Sequence, residues 1–133
     1  MQFDFLEKNR NVEILGSWAI ESNNEDNLPY GFVKKVPKEQ KKIQNMFHYR
    51  NPLIHSSVMF RMSVFKKIGY YNINYKTDQD LELWARALKN NVIISNIYCP
   101  LLMFRKDGVI NRRSTSSAVF RQIKARYSYN TLS

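Results

Sequence analysis

Apolar and polar positions along the chain fall into short segments with two different periods. Between Val12 and Ile20, "VEILGSWAI" is dense in β-branched, aromatic and other apolar residues with polar ones at its borders, the pattern of a strand covered on both faces. Ahead of it, Phe3 and Leu6 stand among charges and predict the end of a helix reaching Arg10. Gly16, inside the strand, marks either a bulge or a close approach of backbone. The polar stretch "ESNNEDNLPYG" predicts a loop and "YGFVKKV" a short strand, which Pro37 closes because it has no N–H to donate.

Helical spacing takes over from Lys38 to Tyr49, where Ile43, Met46 and Phe47 share one face. Asn51-Pro52 breaks that helix. "SSVMFR", Ser56 to Arg61, predicts a strand running into "MSVFKKIG", a short helix with Ser63 as its cap and Gly69 as its stop. The clearest helix spans Asp78 to Asn90, with Leu81, Trp84, Ala85 and Leu88 at i, i+3, i+4 and i+7, which predicts a helix on a sheet with Trp84 in the core. "NVIISNIYCPLLMFRK" predicts two strands separated by Pro100. A last helix, from about Ser117 to Tyr129, puts Val119, Ile123 and Tyr127 on one side and Arg121, Lys124 and Arg126 largely on others. Strands and helices alternate throughout, which predicts an α/β domain.

Length and composition narrow the class without changing that picture. The 133 residues match one domain with a core, and 44% hydrophobic against 24% charged residues excludes a disordered chain. The 21 Lys and Arg exceed the 11 Asp and Glu, and the resulting charge of +10 favours anionic partners. A single cysteine, Cys99, excludes an internal disulfide and fits a reducing compartment; with His48 and His55 as the histidines, no Cys/His zinc set can be assembled. No apolar run approaches the ~20 residues of a membrane span, and "MQFDFLEKNR" is not a signal peptide, so a soluble protein is expected. The basic residues are spread along the chain with no RNA-binding signature, which argues against nucleic acid. Within residues 111–133, "NRRSTSSAVFRQIKARYSY" predicts a basic helix or tail able to lie on an anionic membrane.

The stretch "TDQDLELWARAL", Thr77 to Leu88, carries the candidate chemistry and admits three readings. Asp78-Gln79-Asp80 has the letters of a metal-binding Asp-x-Asp, but side chains two positions apart on a helix point about 200° away from each other and cannot close on one ion. Thr77-x-x-Asp80 also reads as a capping box, with the acid favoured by ~0.3–1 kcal/mol at the positive end of the helix dipole. On the helical wheel, finally, Asp80 lies about 90° from the centre of the apolar stripe, where it can line a cleft and serve as a general base. Capping and catalysis can coexist in one residue, and local sequence leaves both open.

Four segments in register add a resemblance. "FLEKNRNVEILGSWA", "NPLIHSSVMFRMSVFKKIGYYN", "TDQDLELWARALKNN" and "CPLLMFRKDG" stand in an order and at intervals that resemble bacterial family 2 glycosyltransferases, over nearly all of Phe5 to Gly108. The resemblance implies a partial GT-A-type, Rossmann-like mixed sheet flanked by helices. Residues 1–110 would form the C-terminal, acceptor-side half of the catalytic domain, without the N-terminal nucleotide-binding half. It implies inverting transfer from a nucleotide-sugar donor to a glycan or lipid-linked acceptor in polysaccharide or cell-envelope biosynthesis, in the cytoplasm or at the inner face of the membrane.

By the same resemblance Asp80 is the catalytic base, next to Gln79 where the family more commonly has Glu, and His55, Asp78 and Arg105 are candidate substrate-binding residues. For His55 the alternative is a hydrogen-bonded histidine at a strand start, and for Arg105 a surface arginine in place of one facing the diphosphate. Asp107 stands where the family often has His. No metal ligand is expected in this chain. A divalent cation, Mg or Mn, is expected only with the N-terminal half, and the chain alone is expected to be inactive, because departure of a diphosphate needs a cation or fixed positive charge. The competing reading is a basic binding module for anionic membrane or nucleic acid.

Overall fold

The computed structural model describes residues 1–22, 31–105 and 116–127, the Arg105 side chain excepted. The apolar run after Val12 forms β1 (Ile14–Ser22), the centre of a four-stranded mixed sheet. β2 (Phe32–Lys34) and β3 (Met59–Phe60) pair with it antiparallel, β2 at Ala19 to Glu21 and β3 at Ile14 and Leu15. β4 (Ile94–Arg105) runs parallel to it along its whole length, from Ile14 opposite Ile94 to Ser22 opposite Arg105. With β4 on one side, β2 and β3 share the other, and the gap between them is filled by a 3-10 turn at His55–Ser57. There the Ser17 N–H donates to Ser57 Oγ at 3.0 Å, and that hydroxyl donates to the Ile54 carbonyl at 2.7 Å, so the Ser17 amide is satisfied where the ladder is interrupted. Helices α1 (Gln2–Lys8), α2 (Gln40–Phe47), α3 (Met62–Ile68), α4 (Gln79–Lys89) and α5 (Ser116–Tyr127) complete the described elements, in the alternating α/β order expected.

Successive residues of β1 point to opposite faces, and each face has its own core. Ile14 joins Ile43, Phe47, Val64, Leu81, Trp84 and Ile94, while Leu15 joins Leu6 and Val12 on the other side. α4 is more deeply set than an amphipathic helix: Leu81, Glu82, Leu83, Trp84, Ala85 and Ala87 are all buried, not only the expected stripe, and Leu88 is not fully buried. Trp84 is in the core as expected, stacked on Phe60 with centroids 5.8 Å apart. The buried acid is matched by a fork. Arg86 Nε donates to Glu82 Oε1 and its terminal nitrogen to Oε2, each at 2.8 Å, and further N–H groups reach the Ile68 and Tyr70 carbonyls at 2.6 and 2.8 Å. One guanidinium thus locks α4 to the end of α3.

Several sequence expectations are corrected. β4 is one continuous strand: Pro100 lies opposite Trp18, where the register with β1 shifts, and a bulge tolerates the missing N–H. "SSVMFR" pairs only at Met59 and Phe60, its start being the 3-10 turn. α3 is capped at Arg61, not Ser63; Arg61 Nε donates to the Val12 carbonyl at 2.8 Å, and this tie to the chain before β1 sets where the helix begins. Gly69 does end α3, in the left-handed region at φ 79°. In α5 the apolar side of the wheel is not the buried side: Ala118, Ala125 and Arg126 face inward, while Val119, Ile123 and Tyr127 are exposed. Contact with α4 admits the small side chains and the arginine stem, whose Nε donates to the Phe47 carbonyl at 2.9 Å.

At Gly16 the reading of a close approach holds, since the register shift begins only after Ser17. A Cβ there would collide with Asn96 Oδ1 and lie 3.0 Å from Leu53 Cδ2. Asn96 is fully buried, and its Nδ2 donates to the Pro37 and Pro52 carbonyls at 2.6 and 3.1 Å, so it cannot swing aside without breaking both bonds. Gly16→Ala is therefore expected to cost about 1–3 kcal/mol through overpacking, read as a lower denaturant midpoint at unchanged m-value; an unchanged midpoint would contradict this contact.

Candidate active site

α4 begins at Asp78, whose backbone takes the left-handed conformation, φ 60° and ψ 23°, which Asp tolerates better than most residues. That residue, not Thr77, is the N-cap, and no side chain caps the helix. Asp80 consequently falls one position too early for a capping box, and its carboxylate turns to another segment: Asn51 Nδ2 donates to Asp80 Oδ2 at 2.8 Å. Asn51 is itself fixed, because its Oδ1 accepts the Leu53 N–H at 3.2 Å in an Asx turn across Pro52. Among the described residues Asp80 Oδ1 has no hydrogen-bond partner, and the residue is neither fully buried nor fully exposed.

Beside this pair stands Tyr71, from the loop between α3 and α4. Burial, and secondarily the negative charge of Asp80, raise its pKa above the ordinary 10.0. The Tyr71 hydroxyl lies 2.7 Å from His55 Nε2, and the exposed imidazole also meets the edge of Trp84, with centroids 6.0 Å apart. His55 is hydrogen-bonded next to a strand start, as its structural alternative has it, and it is also joined through Tyr71 to the surroundings of Asp80.

Asp78 faces the other way. Its Oδ2 lies 3.7 Å from Arg121 Nε, on α5. Arg126, five residues further along α5, is buried; burial lowers its pKa, and Asp78, then Tyr127 and Asp80, oppose that shift. Both carboxylates thus feel the cation that α5 brings in. The backbone of Arg105 ends β4 opposite Ser22, while its side chain and the whole of Asp107 lie outside the described residues.

Asn51, Tyr71, Arg121 and Arg126 were not singled out from the sequence as site residues. Asn51 carried a legible signal, since Asn-Pro favours an Asx turn. For Arg126 there was none, because its partners are brought to it only by the docking of α5. Among the described residues Asp78 pairs with an arginine, Asp80 accepts from an amide, and no three His, Cys, Asp or Glu side chains converge. What the arrangement offers is one oriented carboxylate with an oxygen to spare, beside a phenol and an imidazole.

The raised Tyr71 pKa gives a pH dependence. A group held above its unfolded value contributes stability that is fully present below about pH 10 and is lost as pH rises toward the native value. Tyr71→Phe is expected to flatten the fall in unfolding free energy as pH rises above about 10, and Asp80→Asn to lessen it by removing the smaller cause, both read by chemical denaturation against the unsubstituted chain.

No protein-family model matches the chain, and no solved structure matches it. Two relatives do. The chain is 32% identical over 129 residues to the UDP-Gal:alpha-D-GlcNAc-diphosphoundecaprenol beta-1,3-galactosyltransferase of Escherichia coli, covering 95% of this chain and 45% of that protein. It is 29% identical over 131 residues to an uncharacterized glycosyltransferase of Methanocaldococcus jannaschii, covering 98% of this chain and 43% of that one. The chain spans less than half the length of either relative, and over nearly all of its own length it is similar to a portion of a glycosyltransferase, as the resemblance in its sequence implied.

Proposed function

We propose that this chain is the acceptor-side, C-terminal portion of an inverting glycosyltransferase of family 2 with a GT-A-type fold, and that Asp80 is its catalytic base. In the reaction a hydroxyl of the acceptor attacks C1 of the donor sugar. The new C1–O bond forms as the bond from C1 to the nucleoside diphosphate breaks, and the hydroxyl proton passes to Asp80. The observation that carries this reading is the half-occupied carboxylate: Oδ2 is held by Asn51 at 2.8 Å, and Oδ1 accepts nothing among the described residues. One oxygen fixes the orientation and the other is left to take a proton, which is the geometry a general base needs.

The acceptor is a sugar carried on a lipid diphosphate, a class suggested by the printed substrate of the Escherichia coli relative. Tyr71 and His55 border the acceptor hydroxyls, where the phenol and imidazole can donate or accept as the sugar requires. Asp78 acts by ion pairing with Arg121, which fixes the start of α4, and takes no proton itself. Arg105 remains a proposed diphosphate contact at the end of β4. The donor is held chiefly by residues outside this stretch, and the product enters a polysaccharide or cell-envelope glycan built on the cytoplasmic side of a membrane.

In a complete transferase carrying this stretch, Asp80→Asn is expected to lower kcat by about 10²–10⁴-fold with little change in KM for the donor, because it removes proton acceptance and keeps the shape. Asn51→Ala should lower kcat less, through loss of orientation. Steady-state assays with a lipid-diphosphate sugar acceptor decide the matter, and near-normal turnover by the Asp80→Asn enzyme would sink the assignment.

A further inference from the structure

α5 is turned inside out for a helix at the edge of a folded body. Its inward face is made of Ala118, Ala125 and the stem of Arg126, and its outward face carries the bulky residues. Val119, Phe120, Ile123 and Tyr127 are all exposed, Phe120 by 69%, and at 100° per residue they form one stripe about 100° wide. Lys124 and then Arg121 lie along one side of that stripe, both exposed. The surrounding sequence is cationic as well: from Arg105 to Arg126 it holds seven Lys or Arg and one acid, Asp107.

A bulky apolar stripe beside a cationic flank is the pattern of a helix that lies in a lipid interface. We propose that the outward face of α5 seats on the surface of an anionic lipid bilayer. Charge complementarity favours that occupant over a second copy of the chain, because two such faces would bring like charge together around the stripe. The inner side of the helix gives the contact a consequence for the site. Arg126 is anchored to the Phe47 carbonyl at 2.9 Å and Arg121 lies 3.7 Å from Asp78, so a bilayer against the outer face holds the start of α4, with Asp80, beside the membrane surface. An acceptor carried on a lipid would present its sugar there. The bilayer contact goes beyond the transferase reading and can be measured without turnover.

The test is co-sedimentation of the whole chain with vesicles of phosphatidylcholine alone and with vesicles of about 3:1 phosphatidylcholine to phosphatidylglycerol. We expect binding to the anionic vesicles at least about tenfold tighter than to the neutral ones, weakened by salt, and about tenfold weaker again in the double variant Phe120→Ser, Ile123→Ser. Both positions are exposed, so the fold is expected to survive, and circular dichroism checks it. Lys124→Glu offers an independent arm, weakening anionic binding several-fold without touching the stripe. Three outcomes overturn the proposal: no preference for the anionic vesicles, binding that neither variant alters, or a dimer of the unsubstituted chain that the double variant dissolves, which would show that a second copy covers the stripe. None of these bears on turnover with a water-soluble acceptor, so the transferase reading stands or falls separately.

Discussion

The buried amide of Asn96 is the contact on which the arrangement of the site depends. Because Gly16 presents no side chain, Asn96 can lie against β1 and spend both Nδ2 hydrogens on the carbonyls of Pro37 and Pro52. Those carbonyls belong to segments with no ladder of their own, one after β2 and one before the 3-10 turn. Fixing Pro52 fixes the Asx turn that starts at Asn51, and Asn51 in turn aims its amide at Asp80. A chain of short polar contacts therefore runs from β4 to the proposed base, through side chains that are buried or partly buried. In such surroundings each bond is worth more than in solvent, and the loss of one leaves a costly unsatisfied group.

α4 supplies the other half of the constraint. It is packed on several sides at once, with Trp84 under the sheet and the Glu82–Arg86 fork tied to the end of α3, so its first turn has little freedom. The left-handed Asp78 then turns the two neighbouring acids to different surroundings. Asp78 meets the arginines of α5, and Asp80 meets an amide and a phenol. The sequence "TDQD" looks like a pair of equivalent acids, and the fold gives one a structural partner while leaving the other with an open oxygen.

Legibility in the sequence followed the range of the interactions. β1, the body of α4, the stop at Gly69 and the core position of Trp84 depend on period, propensity and a glycine's freedom at positive φ, all of which are written locally. The capping-box alternative fails for a reason that is not local: the Asp80 carboxylate accepts from a donor 29 residues away, which no window around it contains. The sequence divides β4 at Pro100 because a proline usually ends a ladder, and only the register shift opposite Trp18 makes room for it. α5 was legible as a helix, but which side it buries was not. Burial there is decided by the space beside α4, which admits alanine and an arginine stem, and not by the hydrophobicity of α5 itself.

Under the proposed transferase reading, the distribution of charge around Asp80 bears on what this stretch can do unaided. In an in-line displacement the base and the departing diphosphate lie on opposite sides of the reacting carbon, so one cluster of side chains cannot serve both ends. Near Asp80 the described cation is Arg126, which is buried and spends its Nε on the Phe47 carbonyl. A guanidinium held in that way can balance the two aspartates, but it is poorly placed to follow the charge that builds on a leaving group. Arg121 is likewise engaged with Asp78. On the proposed reading, then, the cluster is matched to accepting a proton and fixing an acceptor, and positive charge for the diphosphate would come from another direction, across the sugar from α4.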